Sequence, residues 1–365
     1  MLTLDFADPR AADIRLVGGK AHGLALMVGH GIPVPPGFSV STCAYRDYLS
    51  VTGLGPRLEA LLGAVDRTSI GALEDAAVVI SGWFEEVPIP QRLRDALDGG
   101  YRRLCDAVGL PDVSVAVRSS ATAEDASGTS FAGEYETYVG LRGLMSVELH
   151  LRRCWASAFS ARALSYAWKN GISPLVVEMA VVIQKTVNAR AAGVMFTVSP
   201  VSGDRSRAVI EASYGLGLGV VGGEVTPDRY VVAKIEGTVV DRVVGGKHIE
   251  YLDGQQATPV DAARAARLCL DDQEVLALVQ IGKRLERLHG APQDIEFAID
   301  RELPPGGNIV LLQCRPITAL PSRSTSAEGP RHPLSTLAAG VLAAANPCRA
   351  APNGDGSQRA TGAGR

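Results

Sequence analysis

Two strand-like segments near the end of the chain carry polar residues that could hold a metal ion. They read QDIEFAID (293–300) and NIVLLQCRP (308–316). Alternation along a strand predicts three residues on one face of each: Asp294, Glu296 and Ala298, and Leu311, Gln313 and Arg315. Glu296 and Gln313 suit Mg²⁺, which takes one or two protein oxygens beside phosphates, and Arg315 would neutralise a transferring phosphoryl group. The alternative is two half-exposed strands whose polar residues face water.

A loop of small polar residues could bind phosphate. The segment VRSSATAEDASGTSFAGEYETY (117–138) places Arg118 at the end of a strand and then supplies hydroxyls and glycines. Backbone N–H groups of such a loop approach phosphate closely, with Thr129 and Ser130 as added donors. Arg118 could clamp a phosphate with two parallel hydrogen bonds. The alternative is a capped surface loop in which Arg118 forms a structural ion pair.

A glycine-rich segment, YGLGLGVVGGEVTPD (214–228), contains a literal G-x-G-x-x-G. A dinucleotide fingerprint needs a helix that begins within its glycines. Further glycines and Pro227 follow at once, so the sequence leaves no room for that helix and the dinucleotide hypothesis fails. A loop packed over a nucleotide and a plain turn both remain open. Glu211, just before the segment, and Glu224, after its glycines, are candidates for metal or ribose binding, or are solvated residues.

The surrounding pattern predicts helices first, then strands mixed with helices. Apolar spacing predicts a helix after Gly18-Gly19, where Lys20 stands at a position that the helix dipole disfavours for a lysine. Residues 44–110 and 145–170 read as helical, and 113–120 as a strand. Short strands follow from about 176, and a long amphipathic helix is predicted over 261–290. This order indicates α+β layers.

Composition excludes several classes of protein. The 365 residues allow two or three packed units, and the formal net charge of −3 argues against a nucleic-acid partner. The N-terminus has no basic-then-apolar run, and no apolar stretch reaches the roughly 18 residues that span a bilayer. The six cysteines form no close pair. We therefore expect a cytoplasmic, reduced protein without a membrane partner.

Six ordered segments resemble the N-terminal nucleotide-binding domain of the phosphoenolpyruvate synthase and pyruvate phosphate dikinase family, an ATP-grasp relative shared with rifampicin phosphotransferases. They are VGGKAHGLALMVGHGIPVPPGFSVST, RSSATAED…SFAGEYETY, GVMFTVSP, EASYGLGLGVVGGEVTPD, QDIEF and LLQCRPIT. The resemblance covers about residues 12–320. It implies an α+β, ATP-grasp-like fold with a phosphate-loop portion (1–200) and a portion with the metal-binding strands (201–320). Residues 321–365, rich in Ser, Ala, Gly and Pro, are expected to form a disordered tail.

The resemblance also implies roles for individual residues. Lys20 and Arg118 would contact nucleotide phosphates, Gly133 and Thr137 would act in the loop, and Gln184 would lie on the adenine side. Glu296 and Gln313 would bind Mg²⁺, with Arg315 as a phosphate clamp. ATP and Mg²⁺ are the implied cofactors, and catalysis would consist of positioning and charge neutralisation.

The expected acceptor is absent from the sequence pattern. Family members carry phosphate on a histidine in a Gly-Gly…Ser-His context, and none of the six histidines here has that context. The first hypothesis is therefore a phosphotransferase that phosphorylates a histidine of a separately encoded phosphohistidine carrier domain, with pyruvate as the small-molecule acceptor of the pathway. The alternatives are a standalone small-molecule or antibiotic kinase and a nucleotide-binding regulator without turnover.

Overall fold

The structure is a computed structural model that describes residues 1–122, 135–254 and 256–317. Its mixture of helices and antiparallel sheets confirms the predicted α+β class. Three candidate phosphate-loop residues, Thr129, Ser130 and Gly133, lie outside the described residues, as does the predicted tail over 321–365.

The described residues form thirteen strands, here numbered in chain order. Their bounds are β1 Thr3–Asp5, β2 Gly37–Val40, β3 Val115–Ala121, β4 Thr137–Leu141, β5 Met179–Lys185, β6 Ala189–Phe196, β7 Arg207–Tyr214, β8 Asp228–Ala233, β9 Thr238–Val243, β10 Ile249–Tyr251, β11 Ala257–Pro259, β12 Gln293–Asp300 and β13 Ile309–Pro316.

The same residues form ten α-helices. Their bounds are α1 Ile14–Gly29, α2 Thr42–Val51, α3 Leu54–Ala64, α4 Ile70–Glu86, α5 Gln91–Val108, α6 Leu144–Ala156, α7 Ala161–Lys169, α8 Leu218–Val221, α9 Ala262–Ala265 and α10 Asp272–His289. None of the helices in the described part of the chain is both long and apolar enough to cross a membrane.

The first sheet has the strand order β1-β2-β5-β3-β4, with every neighbouring pair antiparallel. Helices α2 to α7 pack beside it around a core that contains Trp155, Tyr48 and Phe84. The rings of Tyr48 and Trp155 stack with their centroids 5.0 Å apart. The helical regions predicted for 44–110 and 145–170 therefore supply the apolar layer of this sheet.

The second sheet has the strand order β13-β12-β6-β7-β8-β9. Helix α10 covers one face, where Val275 and Leu278 join Phe297 in a shared core. The chain passes from the first sheet to the second between Lys185 and Ala189. The division predicted at residue 200 stays a prediction.

Helix α1 lies where the two sheets meet, in contact with β3, β5 and β13. Gly18 interrupts it with a φ of 71°, and a Cβ atom there would lie 1.9 Å from the carbonyl oxygen of Ser120. The Ser120 hydroxyl donates to the Val17 carbonyl (2.7 Å) and accepts from the Ala21 amide (3.1 Å). This contact fixes the start of the Lys20 segment against β3.

Two predictions about helices are wrong in detail. The helix expected over 261–290 is two helices, α9 and α10, because a capping box formed by Asp271 and Glu274 starts α10 separately. Its predicted end is confirmed, since Gly290 caps it with a φ of 66°. The glycine-rich segment, expected to lack a helix, contains the single turn α8.

A buried ion pair of Lys247 and Asp228 lies at β8 of the second sheet. Lys247 Nζ lies 2.5 Å from Asp228 Oδ1, and both side chains are fully buried. Lys247 also donates to the Ala265 carbonyl (2.9 Å), while Asp228 accepts from the amides of Gly245 (2.8 Å) and Cys269 (2.7 Å). The pair thereby ties two irregular segments to β8.

Candidate functional site

Arg118 joins the two sheets by contacting both residues of the predicted metal pair. Its Nη2 atom donates to Glu296 Oε2 (2.9 Å) and to Gln313 Oε1 (3.1 Å), and its Nη1 atom donates to the Leu312 carbonyl (2.8 Å). Arg118 belongs to β3 of the first sheet, whereas its partners belong to β12 and β13 of the second. The three polar groups therefore form one cluster at the junction of the sheets.

A β-bulge gives this cluster its geometry. Glu296 pairs with Gln313, but the next residue, Phe297, pairs with Leu311, so Leu312 is an extra residue in β13. Leu311 packs with Phe297 in the core beneath α10. The prediction that Leu311 shares a face with Gln313 is wrong, because the bulge reverses the alternation between them. The bulge also turns the Leu312 carbonyl into an acceptor for Arg118.

The face opposite the cluster is core. Ile295, Phe297 and Ile299 are all buried beneath α10, as the alternation of β12 predicts. The side chain of Glu296 keeps 28% of its surface exposed, and that of Arg118 keeps 11%. These charges are therefore partly withdrawn from water rather than fully solvated.

Arg315 forms an ion pair with Asp294, which the alternation of the two strands did not predict. Its Nε and Nη2 atoms donate to Asp294 Oδ2 at 3.0 and 2.9 Å. Burial raises the pKa of Asp294, and the adjacent Arg315 charge opposes that rise. The two residues pair directly across β12 and β13, next to the pair Glu296 and Gln313.

Glu211 lies on the same sheet face as Glu296. Glu296 pairs with Val194 of β6, which pairs with Glu211 of β7, so two strand spacings, roughly 10 Å, separate the Cα atoms of the two glutamates. Burial raises the pKa of Glu211, and Arg229 opposes the rise.

Glu224 has a different environment from Glu211. It accepts a hydrogen bond from the Tyr251 hydroxyl (2.6 Å), which raises the pKa of Tyr251 to about 12. Glu224 therefore anchors the glycine-rich segment.

The remaining described candidates lie around the same junction. Lys20 follows the Gly18 kink, and Thr137 pairs with Arg118 across β3 and β4. Gln184 pairs with Ala116, two residues before Arg118, and its amide donates to the Pro35 carbonyl (3.0 Å). The structure thus brings these positions to one region, while their contacts with a nucleotide stay predictions.

Ser213 is a residue of this face that sequence reasoning missed. It follows Glu211 by two positions and pairs with Ala192. Its hydroxyl is buried and has no hydrogen-bond partner among the described residues. Alternation from Glu211 was a usable signal, because residues two apart in a strand share a face.

The donor set at the junction fits a cation that phosphates help to bind. No group of three or more His, Cys, Asp or Glu residues in the described ranges could enclose a metal. A carboxylate and an amide oxygen are sufficient protein ligands for Mg²⁺ when phosphate and water complete its shell. Glu296 and Gln313 already direct those two oxygens at one positive group, the Arg118 guanidinium.

Comparison with known proteins gives a consistent result. Residues 14–333 match the family model described as the pyruvate phosphate dikinase AMP/ATP-binding domain. The chain is 38% identical over 345 residues to phosphoenolpyruvate synthase of Aeropyrum pernix, covering 86% of this chain and 42% of that protein. It is 37% identical over 337 residues to rifampicin phosphotransferase of Streptomyces sviceus, covering 90% and 37% respectively. The chain therefore spans less than half the length of each relative.

Proposed function

Because this chain belongs to the pyruvate phosphate dikinase AMP/ATP-binding domain family, we propose that it binds ATP and Mg²⁺ where its two sheets meet. It would then transfer phosphate from the bound nucleotide. The observation that carries this proposal is the contact of Arg118 with Glu296 and Gln313, residues 178 and 195 positions away in the chain. All three were candidates on sequence grounds, and folding brings them within hydrogen-bond distance.

The proposed work of the site is positioning and charge neutralisation. Lys20, Arg118 and Arg315 would bind phosphate oxygens, and Glu296 and Gln313 would hold Mg²⁺. When bound, Mg²⁺ would supply charge neutralisation at the phosphates. Glu211 and Gln184 would contact the nucleoside, and Thr137, at the start of β4, would act together with the phosphate loop. Thr129, Ser130 and Gly133 complete the proposal from outside the described residues.

The proposed acceptor is a histidine on a separate carrier domain, with pyruvate as the final acceptor of the pathway and the cytoplasm as the location. Support comes from the similarity to a phosphoenolpyruvate synthase. A small-molecule kinase is the second candidate, favoured by the similarity to a rifampicin phosphotransferase.

Labelled ATP separates these possibilities. The full chain is incubated with Mg²⁺, a candidate carrier domain, pyruvate and ATP carrying ³²P at the β or the γ position. The carrier hypothesis expects AMP to leave, the β label to remain as phosphohistidine on the carrier, and the γ label to be released by water as inorganic phosphate. Formation of ADP alone, with label on a small molecule, would replace it by the kinase hypothesis. A chain that binds no ATP in a calorimetric titration would contradict both.

A further inference from the structure

The Arg118 guanidinium binds the same oxygen atoms that are proposed to hold the cation. Its Nη2 atom lies 2.9 Å from Glu296 Oε2 and 3.1 Å from Gln313 Oε1. We propose that Arg118 and the divalent cation compete for these oxygens, so that cation binding transfers Arg118 from the protein acceptors to the nucleotide phosphates. This inference rests on the proposed function, because it takes Glu296 and Gln313 as the cation ligands.

Competition follows from the charges and from the atoms that are shared. A guanidinium and a divalent ion at one carboxylate oxygen repel each other, and this repulsion is strong where water is largely excluded. The side chains of Arg118 and Glu296 are 11% and 28% exposed, so solvent screens them incompletely. A cation that takes the Glu296 and Gln313 oxygens therefore removes both side-chain acceptors of Nη2.

The Leu312 carbonyl allows Arg118 to change acceptors without leaving β13. Arg118 Nη1 donates to this main-chain oxygen at 2.8 Å, and the contact uses none of the cation's ligands. One end of the guanidinium can therefore stay attached to β13 while the other end changes its acceptor. A partly buried N–H group without an acceptor is costly, and a phosphate oxygen would supply one.

The consequence is positive coupling between cation and nucleotide. The cation alone must displace Arg118, whereas the cation together with a nucleotide leaves Arg118 paired with phosphate. Coupling of this kind is reciprocal, so each ligand increases the affinity for the other. The contrary hypothesis treats Arg118 as a fixed support that holds Glu296 and Gln313 in place for the ion.

The two hypotheses predict opposite signs for the removal of Arg118. Mn²⁺ serves as the probe, and free Mn²⁺ is measured by electron paramagnetic resonance with the full chain and no nucleotide. Competition expects Arg118→Met to bind Mn²⁺ roughly tenfold more tightly than the wild type, while its affinity for Mg·ATP falls at least tenfold. Equal or weaker binding of Mn²⁺ would overturn the inference.

A matched variant separates competition from a change of net charge. Arg94→Met removes the same charge from the helical layer of the first sheet, where Arg94 pairs with Glu148 at 3.0 Å. We expect its affinity for Mn²⁺ to equal that of the wild type. Tightening equal to that of Arg118→Met would overturn the inference, because the effect would then come from net charge.

Arg118→Lys keeps the measurement decisive if the methionine variant does not fold. A lysine ammonium lacks the planar fork of donors, so it competes less well for two oxygens and the Leu312 carbonyl. Mn²⁺ binding tighter than in the wild type supports competition, and binding equal or weaker overturns it.

Mn²⁺ binding by the wild type in the presence of ATP distinguishes a failure of this inference from a failure of the proposed function. If the wild type binds no Mn²⁺ even at saturating ATP, the cation site itself is wrong and the inference falls with it. If ATP supports Mn²⁺ binding and the Arg118 variants show no tightening, only the competition is wrong.

Discussion

Two ion pairs of this molecule use the same chemistry in different surroundings. Lys247 and Asp228 are both fully buried. Beyond their mutual contact, the two side chains form hydrogen bonds with backbone groups of neighbouring segments. Arg118 and Glu296 belong to different sheets, and Glu296 remains 28% exposed. A charge pair saturated within one unit can only hold that unit together. A pair that spans two units and borders solvent can exchange its partners for a ligand.

The largest expected effect is on the buried pair. Lys247→Met leaves the Asp228 carboxylate buried without a countercharge, which should lower the free energy of unfolding by about 3–5 kcal/mol. Urea denaturation measures this loss, and the double variant Lys247→Met/Asp228→Asn should recover part of it. A single variant as stable as the wild type would erase the contrast between the pairs. Nucleotide affinity of the folded fraction should be unchanged.

Glu296→Ala should reduce activity strongly and stability only slightly, which is the reverse of Lys247→Met. We expect phosphate transfer to fall by at least about 100-fold, because a preorganised electrostatic contact is lost. The free energy of unfolding should fall by only about 1 kcal/mol, since Arg118 keeps Gln313 and the Leu312 carbonyl as acceptors. Asp98→Ala is the control, because Asp98 is equally accessible but pairs with the exposed Arg102 of its own helix. Unchanged transfer would remove Glu296 from the site.

Glu211 provides a test of how a buried carboxylate changes stability with pH. Its pKa is raised by burial, so the fold opposes ionisation and loses stability as pH rises through that raised pKa. Glu211→Gln resembles the neutral acid. The variant should therefore be more stable than the wild type at pH 8, with no difference at a pH below the ordinary glutamate pKa. Urea midpoints between pH 4 and pH 8 measure the trend, and a gain that is constant with pH would contradict it.

The smallest effect is expected at Ser213. Its buried hydroxyl has no partner within the described ranges, so Ser213→Ala should leave the free energy of unfolding unchanged or raise it by about 1 kcal/mol. Ser120→Ala is the matched control, because that hydroxyl bonds Val17 and Ala21 and its loss should destabilise the protein. Thermal denaturation of both variants makes the comparison. A destabilised Ser213→Ala would indicate a partner for this hydroxyl.

Local patterns were sufficient to predict much of this molecule. Alternation placed Asp294, Glu296 and Ala298 on one face of β12, and the structure confirms that the intervening residues enter the core. Such agreement is expected, because the period of a strand follows from backbone geometry alone. The predicted end of α10 at Gly290 is confirmed for a similar reason, since glycine adopts a positive φ at low cost.

Features that depend on pairing between distant segments could not be predicted from the residues alone. The bulge at Leu312 arises from the register between β12 and β13, which the sequence of β13 does not contain. The contact of Lys247 with Asp228 likewise depends on how an irregular segment returns to β8. The contact of Arg118 with Glu296 required the relative placement of two sheets, although each residue had been singled out separately.

The short connection between the sheets makes the Arg118 contact sensitive to small rotations. Only residues 186–188 join β5 to β6, so the sheets cannot separate there by more than a few residues of extended chain. Arg118 lies opposite Val182, and Glu296 lies four residues before Asp300, which pairs with Ala189. Arg118 therefore sits about 10 Å, and Glu296 about 13 Å, along the strand from the connection. At the distance of Glu296 from the connection, a rotation of about 13° would displace Glu296 by about 3 Å relative to Arg118. That displacement is enough to break their hydrogen bond.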